Sequence, residues 1–237
     1  MIQFYAPDIL TDHRLPESDS AHAVRVLRMH AGDRLQVVDG KGNIYDCILA
    51  DENNRHATVT IVSAEHVRPV WNNSITIAVA PTKNMDRMEW LVEKLVEVGV
   101  NRIVPLRCAR SERKDIKTER LVKIAAAAMK QSLKASLPHI DDMMPLKQFL
   151  AEAAEGQRFV GYCDSQCERR LLAADYKPGA DERILIGPEG DFTADDIDAA
   201  RSAGYVPVTM GDNRLRTETA ALVGAVTIHV INQAKPL

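Results

Sequence analysis

Aromatic residues are scarce, at 5% of a 237-residue chain. The core therefore has to be filled by Val, Ile, Leu, Ala and Met. Positive charge is not in excess either: 30 Lys and Arg against 33 Asp and Glu leave a net charge of −3. That balance excludes a protein that coats nucleic acid through net charge and requires any such contact to come from a local patch. No apolar run approaches the roughly 18 residues that cross a bilayer, the longest candidate being residues 220–226. The opening MIQFYAPDILTDHR lacks a basic segment followed by an apolar one, so a cytoplasmic protein is expected, with no membrane partner. Cys47, Cys108, Cys163 and Cys167 are expected as reduced thiols. Only the last two are close, as C-x3-C, without the paired spacing of a zinc site. Five histidines, His13, His22, His30, His56 and His66, show no ligand spacing, so no metal is expected. Also missing are G-x-G-x-x-G, the P-loop, H-E-x-x-H and G-x-S-x-G.

What is present falls into two parts. Through residue 66 the pattern is strand-rich, with runs at 2–6, 34–39, 44–50 and 57–64 and a Gly40–Asn43 hairpin turn. A short helix capped by Ser18 or Asp19 carries Ala21, Val24 and Leu27. Short strands at this spacing predict a small barrel. Residues 68–73 break the pattern, placing a boundary near residue 70. Beyond it, strands at 75–80, 102–106, 159–162, 183–186 and 206–210 alternate with helices. One helix spans 84–98 and stops at Gly99; another runs from about 118 to 134. Alternation of this kind predicts a mostly parallel sheet covered on both faces, with ligands at the C-terminal ends of its strands.

Two loops stand at such ends. Gly187-Pro188-Glu189-Gly190-Asp191 follows the apolar strand Ile184–Ile186, and Thr193 with Asp196 forms a capping box after it. Met210-Gly211-Asp212-Asn213-Arg214-Leu215-Arg216 leads into a helix capped by Thr217 or Thr219. That helix is apolar nearly all round over 220–228, so one side needs a cover other than the sheet, and a second subunit is expected there. Residues 107–134 carry nine Lys and Arg against three Asp and Glu. On the expected helix Arg120, Lys123, Lys130 and Lys134 share one face, a candidate phosphate contact.

The segments Ile186–Gly190 and Leu215–Ala220 resemble the RsmE family, which methylates N3 of a uridine in 16S ribosomal RNA of the small subunit and belongs to the SPOUT superfamily. Further matches are His22–Arg28, Gly32-Asp33 and Asp39–Gly42, similar to the family's N-terminal PUA-like barrel. Lys83-x-x-x-Arg87-x-Glu89-x-x-x-Glu93-Lys94-x-x-Glu97-x-Gly99-Val100 and Arg110-Ser111 are similar to its catalytic domain. The sequence departs from the family pattern at Asp191, where a glycine is usual, at Lys130–Lys134, and at Asn213-Arg214, where an arginine and an aliphatic residue are usual.

The resemblance implies a PUA-like RNA-binding barrel over residues 1–70 and a trefoil-knotted SPOUT methyltransferase domain over 71–237, assembled as a homodimer. It implies S-adenosylmethionine held by Ile186, Gly187, Pro188, Glu189, Gly190, Met210, Gly211, Asn213, Leu215 and Thr217. Arg25, Arg28, Arg110 and Arg113 join the helix cations as candidate RNA contacts. Uridine N3 carries an imide proton that must leave before methylation. Arg216 is the candidate for stabilising the resulting charge, and Glu218 or Glu189 for taking the proton. A related SPOUT enzyme acting at another RNA position, and a non-catalytic RNA-binding assembly factor, are the alternative readings.

Overall fold

The strand-rich opening forms a sheet in the computed structural model, which describes residues 2–67, 73–162 and 170–234. Gln3–Tyr5 (β1) pairs parallel with Arg34–Val38 (β2). Asn43–Leu49 (β3) and Val59–His66 (β4) follow antiparallel, giving the order β1-β2-β3-β4. Between β1 and β2 lie two short helices, Ile9–Asp12 (α1) and Glu17–Ala21 (α2), the second continuing into a π-helical turn at His22–Val26. Phe4, Ile9, Leu15, Leu35, Val37 and Leu49 are buried together beneath the sheet. Neither Ser18 nor Asp19 caps a helix: α2 starts one residue earlier, at Glu17, after Pro16. Asp19 is instead buried inside it, accepting from the Tyr5 backbone N–H at 3.0 Å.

The remaining elements alternate. Ile75–Val79 (β5), Met85–Val98 (α3), Arg102–Arg107 (β6) and Thr118–Gln131 (α4) come first. The short strands His139–Ile140 (β7) and Met144–Pro145 (β8), then Leu146–Leu150 (α5) and Gln157–Gly161 (β9), follow. Arg170–Leu171 (β10), Leu172–Asp175 (α6), Glu182–Ile186 (β11), Ala194–Ser202 (α7), Val206–Thr209 (β12) and Thr217–Ala234 (α8) complete the chain. The sheet is parallel in the order β10-β12-β9-β11-β5-β6-β7, with β8 pairing on β6. Its interior strand β5 is buried at every position, as expected for a strand covered on both faces. Cys163 and Cys167 lie outside the described residues; Cys47 and Cys108 are free and buried, and burial pushes their thiols up, to about 11 and about 12.

Helix α3 ends where its sequence signals stand. The Asn84 side chain accepts from the Asp86 N–H, and Gly99, at φ 104°, donates its N–H to the Leu95 carbonyl. Helix α4 is shorter than expected. It stops at Gln131, and Leu133 turns the chain left-handed at φ 54°, so Lys134 is not on the helix.

By contacts the chain divides into one unit of Met1–Val70 with Ala126–Leu137 and another of Trp71–Ala125 with Pro138–Leu237. Residues 135–137 join the first through its hairpin turn: Gly42 N–H donates to the Ala135 carbonyl at 3.0 Å and Leu137 N–H to the Gly40 carbonyl at 2.8 Å. Lys130 Nζ meets the buried Asp19 Oδ1 at 2.5 Å in the same unit. Removing one member of such a pair strands the other. Lys130→Ala is expected to lower stability by about 1–3 kcal/mol, read as a shifted urea midpoint. An unshifted midpoint would show that Asp19 is satisfied without it.

Candidate active site

The C-terminal ends of β9, β11 and β12 open onto one cavity of about 310 Å³. Ile186, Gly187, Pro188 and Glu189 line one side; Met210, Gly211, Asn213, Arg214, Leu215, Arg216 and Thr217 line the other. The two loops singled out in the sequence thus meet at a single site, and Thr217 Oγ donates to the Gly187 carbonyl at 3.1 Å. Thr217 is therefore the first residue of α8 and a tie between the loops, not a cap waiting outside the helix.

Local geometry explains the residues of the first loop. A Cβ on Gly187 would lie 3.0 Å from the ring of the buried Phe192, so a side chain there would press on that ring. Asp191, where the family pattern has glycine, sits at φ 61° and receives no steric relief. Its side chain accepts from the Phe192 N–H at 2.8 Å, the local bond that lets Asp occupy the left-handed region. Glu189 Oε1 accepts from the Lys83 N–H at 2.9 Å, tying the loop to the chain that follows β5. Gly190 lies outside the cavity wall, and a Cβ there would face Arg110 at 3.4 Å.

The expected cation stripe is dispersed. Arg110 donates to the Gly190 carbonyl at 2.9 Å, and Arg113 to the Lys83 carbonyl at 2.7 Å, so both guanidinium groups brace the loops of the site. Arg120 is engaged by Glu89 at 2.9 Å. Lys130 serves Asp19, and burial lowers the ammonium pKa of Lys134. Lys123, Arg25 and Arg28 are exposed on their respective units. Arg120, Lys123 and Lys130 lie on α4, whereas Lys134 stands beyond its end at Gln131.

Glu218 is placed differently from Glu189. It is buried in the first turn of α8 and lines a separate recess with Asp86, Arg87, Trp90 and Thr219. Its Oε1 lies 3.8 Å from Arg87 Nε. Arg216 is exposed and forms part of the cavity wall. Sequence reasoning missed Arg87, Gly161, Tyr162, Val208 and Thr209 as wall residues. The last four are the ends of β9 and β12, and only their position after apolar strands signals them.

An RNA methyltransferase domain model matches residues 69–229, and a model for the PUA domain of RNA methyltransferases matches residues 15–62. The chain belongs to the RNA methyltransferase family. A probable rRNA methyltransferase from Porphyromonas gingivalis is similar at 44% identity, with a TM-score of 0.94 and 99% of each chain covered. A ribosomal RNA small subunit methyltransferase E from Neisseria gonorrhoeae, bound to S-adenosylmethionine, aligns at 26% identity with a TM-score of 0.86 and 98% of each chain covered. The Bacillus subtilis protein of that name is 26% identical over 213 residues, 85% of this chain and 83% of its own. As an RNA methyltransferase the chain places its two motif loops around the cavity and its PUA match in the strand-rich opening. No helix among the described residues is long and apolar enough to cross a membrane.

Proposed function

We propose that this RNA methyltransferase transfers a methyl group from S-adenosylmethionine to N3 of a uridine in 16S ribosomal RNA of the small subunit. The convergence of Ile186–Glu189 and Met210–Thr217 on one cavity carries the reading. Apolar walls from Ile186, Val208, Met210, Leu215 and Ala220 suit a flat heteroaromatic ring, while Arg87, Glu189, Arg214 and Arg216 offer charge to a zwitterionic tail. The residues present therefore fit this cofactor, and Gly190 supports its loop without touching the cavity. Bound there between Ile186–Glu189 and Met210–Thr217, S-adenosylmethionine would supply an electrophilic methyl group on a sulfonium, whose carbon–sulfur electron pair would stay on sulfur as the methyl passes to N3.

The chain's own residues must then hold the base, accept the N3 proton and balance the charge spread over O2 and O4. Arg216 is assigned to that charge, and Glu189 and Glu218 are the carboxylates in reach of the work. Residues 1–70 are assigned as the PUA-like RNA-binding barrel, with Arg25 and Arg28 as contacts, and residues 71–237 as the SPOUT domain carrying its knot. Val226 and Val230, 38% and 55% exposed on α8, leave an apolar strip that suits a second copy of the chain. The setting is cytoplasmic. Incubation with small subunits, nuclease digestion and mass spectrometry test the reading: 3-methyluridine is expected. A methylated ribose or another base would move the activity to a different RNA position, and no product would favour an assembly factor.

The cavity makes a further expectation. A Cβ on Gly161 would lie 2.9 Å from Ile186 Cδ1 and 3.4 Å from Met210 Cε. Gly161→Val pushes both cavity-wall side chains inward and should weaken S-adenosylmethionine binding about 10-fold or more, since misfit of a methyl or two costs about 1–3 kcal/mol. Calorimetry on the folded variant checks this; unchanged affinity would separate the cofactor from this wall.

A further inference from the structure

The recess beside the cavity holds an ion pair whose hydrogen-bonding capacity the protein leaves unmet. The Arg87 side chain makes no hydrogen bond among the described residues, and its ion pair with Glu218 Oε1 spans 3.8 Å, beyond hydrogen-bond reach. Glu218 is nine-tenths buried, yet its Oε2 has no hydrogen-bond partner. Such groups in a native protein call for an explanation, because an unmet buried acceptor is costly. Beside them the indole of Trp90 is 42% exposed, unusual for the largest apolar side chain in a protein poor in aromatics. The recess measures about 340 Å³. Arg87 lines both it and the larger cavity, so the two spaces adjoin at that residue.

A donor, an acceptor and a stacking surface side by side describe a particular ligand face. The imide edge of uracil alternates acceptor, donor and acceptor: O2, N3–H and O4. A guanidinium has N–H groups for a carbonyl oxygen, and a carboxylate oxygen accepts from the imide N–H. Bases drawn out of a helix are held by stacking on aromatic rings together with hydrogen bonds to their pairing edge.

The geometry points to this recess as the seat of the target uracil, with Arg87 donating to a carbonyl oxygen, Glu218 accepting from N3–H and Trp90 stacking on the ring. The inference rests on the uridine reading above and adds the base site to it. Glu218 then takes the N3 proton as the N3–carbon bond forms, and releases it to solvent after product leaves. Glu189, bonded to the Lys83 N–H, keeps its loop in place. The charged groups that line the recess with Glu218 are Asp86 and Arg87, both from α3. The strands β5 and β11 bring none to this end, since Glu182 and Arg183 stand at the opposite end of β11.

Four measurements on the full chain test the assignment. Glu218→Gln should lower single-turnover methylation of small subunits by about 10²–10⁴-fold near neutral pH. The deficit should shrink as pH rises, because hydroxide replaces the missing proton acceptor. Trp90→Ala should raise KM for subunits about 10-fold with kcat less affected, and Trp90→Phe should recover most of it. A short uridine-rich RNA should quench tryptophan fluorescence in the wild type, and Trp90→Phe should abolish that quench. Affinity for S-adenosylmethionine, by calorimetry, should stay within about twofold in every variant. A Glu218→Gln deficit equal at all pH values, or a quench that persists in Trp90→Phe, overturns the base site. Loss of cofactor affinity in step with rate overturns it as well, by giving the recess to the cofactor. Absence of 3-methyluridine with the wild-type enzyme would be a failure of the uridine reading itself and is scored before any variant.

Discussion

Replacing Arg216 by alanine is expected to slow methylation of small subunits by about 10²–10³-fold, the usual loss for one donor that stabilises developing charge. Arg216 lines the cavity immediately before α8 begins at Thr217. A cation at the N-terminus of a helix opposes the helix dipole, so its position gives the fold nothing and is explained by what it meets in the site. Charge on O2 and O4 grows as the N3 proton departs, and the guanidinium meets that charge most strongly in the transition state. Cofactor affinity should therefore change little while the rate falls. Arg216→Lys should recover only part of the rate, because an ammonium cannot present a planar fork to a carbonyl oxygen. Single-turnover rates set beside calorimetry decide the matter. Parallel loss of rate and cofactor binding would make Arg216 a cofactor ligand.

The second large effect is on stability and comes from the far end of the same sheet. Glu182, the first residue of β11, is fully buried, and burial pushes its carboxyl up to about 8; the Asn73 hydrogen bond lowers it and the nearby Asp181 raises it. Asn73 Nδ2 donates to both Glu182 oxygens at 3.1 and 2.9 Å and to Tyr176 Oη at 3.4 Å, and Tyr176 in turn donates to Asn232 Oδ1 at 2.7 Å. Asn73 Oδ1 has no partner, and turning the amide over would put that acceptor where Nδ2 stands, opposite a protonated Glu182. The native pKa lies above that of the unfolded chain. The stabilisation is therefore complete below the ordinary glutamate range and is lost as pH rises through about 8. Wild type should lose on the order of 3–5 kcal/mol between pH 5 and pH 9 from this group alone. Glu182→Gln, which cannot ionise and has an N–H for Asn73 Oδ1, should lack that slope and be the more stable protein at alkaline pH. Urea midpoints across the range check it, and identical slopes in both proteins would sink the argument.

Local signals in the sequence translated directly into structure. Asn84 and Gly99 bound α3, Thr193 and Asp196 form the capping box of α7, and the two glycine-bearing loops line the cavity. Each depends on neighbours within a few residues. What stayed hidden depends on residues far apart in the chain. Lys130 reads as part of a cationic stripe until Asp19, 111 residues away, claims it. That Arg110 also holds the carbonyl of Gly190, 80 residues away, no local signal reveals. Glu182 begins a strand whose other residues are apolar or basic, and only the packing of Asn73 and Tyr176 around it shows that it is buried. The recess escaped notice for the same reason: Arg87 and Glu218 are 131 residues apart, and packing of α3 on α8 brings them together.

The return of residues 126–137 to the unit begun by residues 1–70 sets an order of events during synthesis. A ribosome that has just released residue 70 has made every strand of the four-stranded sheet, yet the hairpin turn still lacks its partners at Ala135 and Leu137, and Asp19 still lacks Lys130. Residues 71–125 must emerge first. Until they do, the nascent sheet waits with the Asp19 carboxylate short of its cation, and two strands of the parallel sheet, β5 and β6, are handed to the exit tunnel before the earlier unit can close.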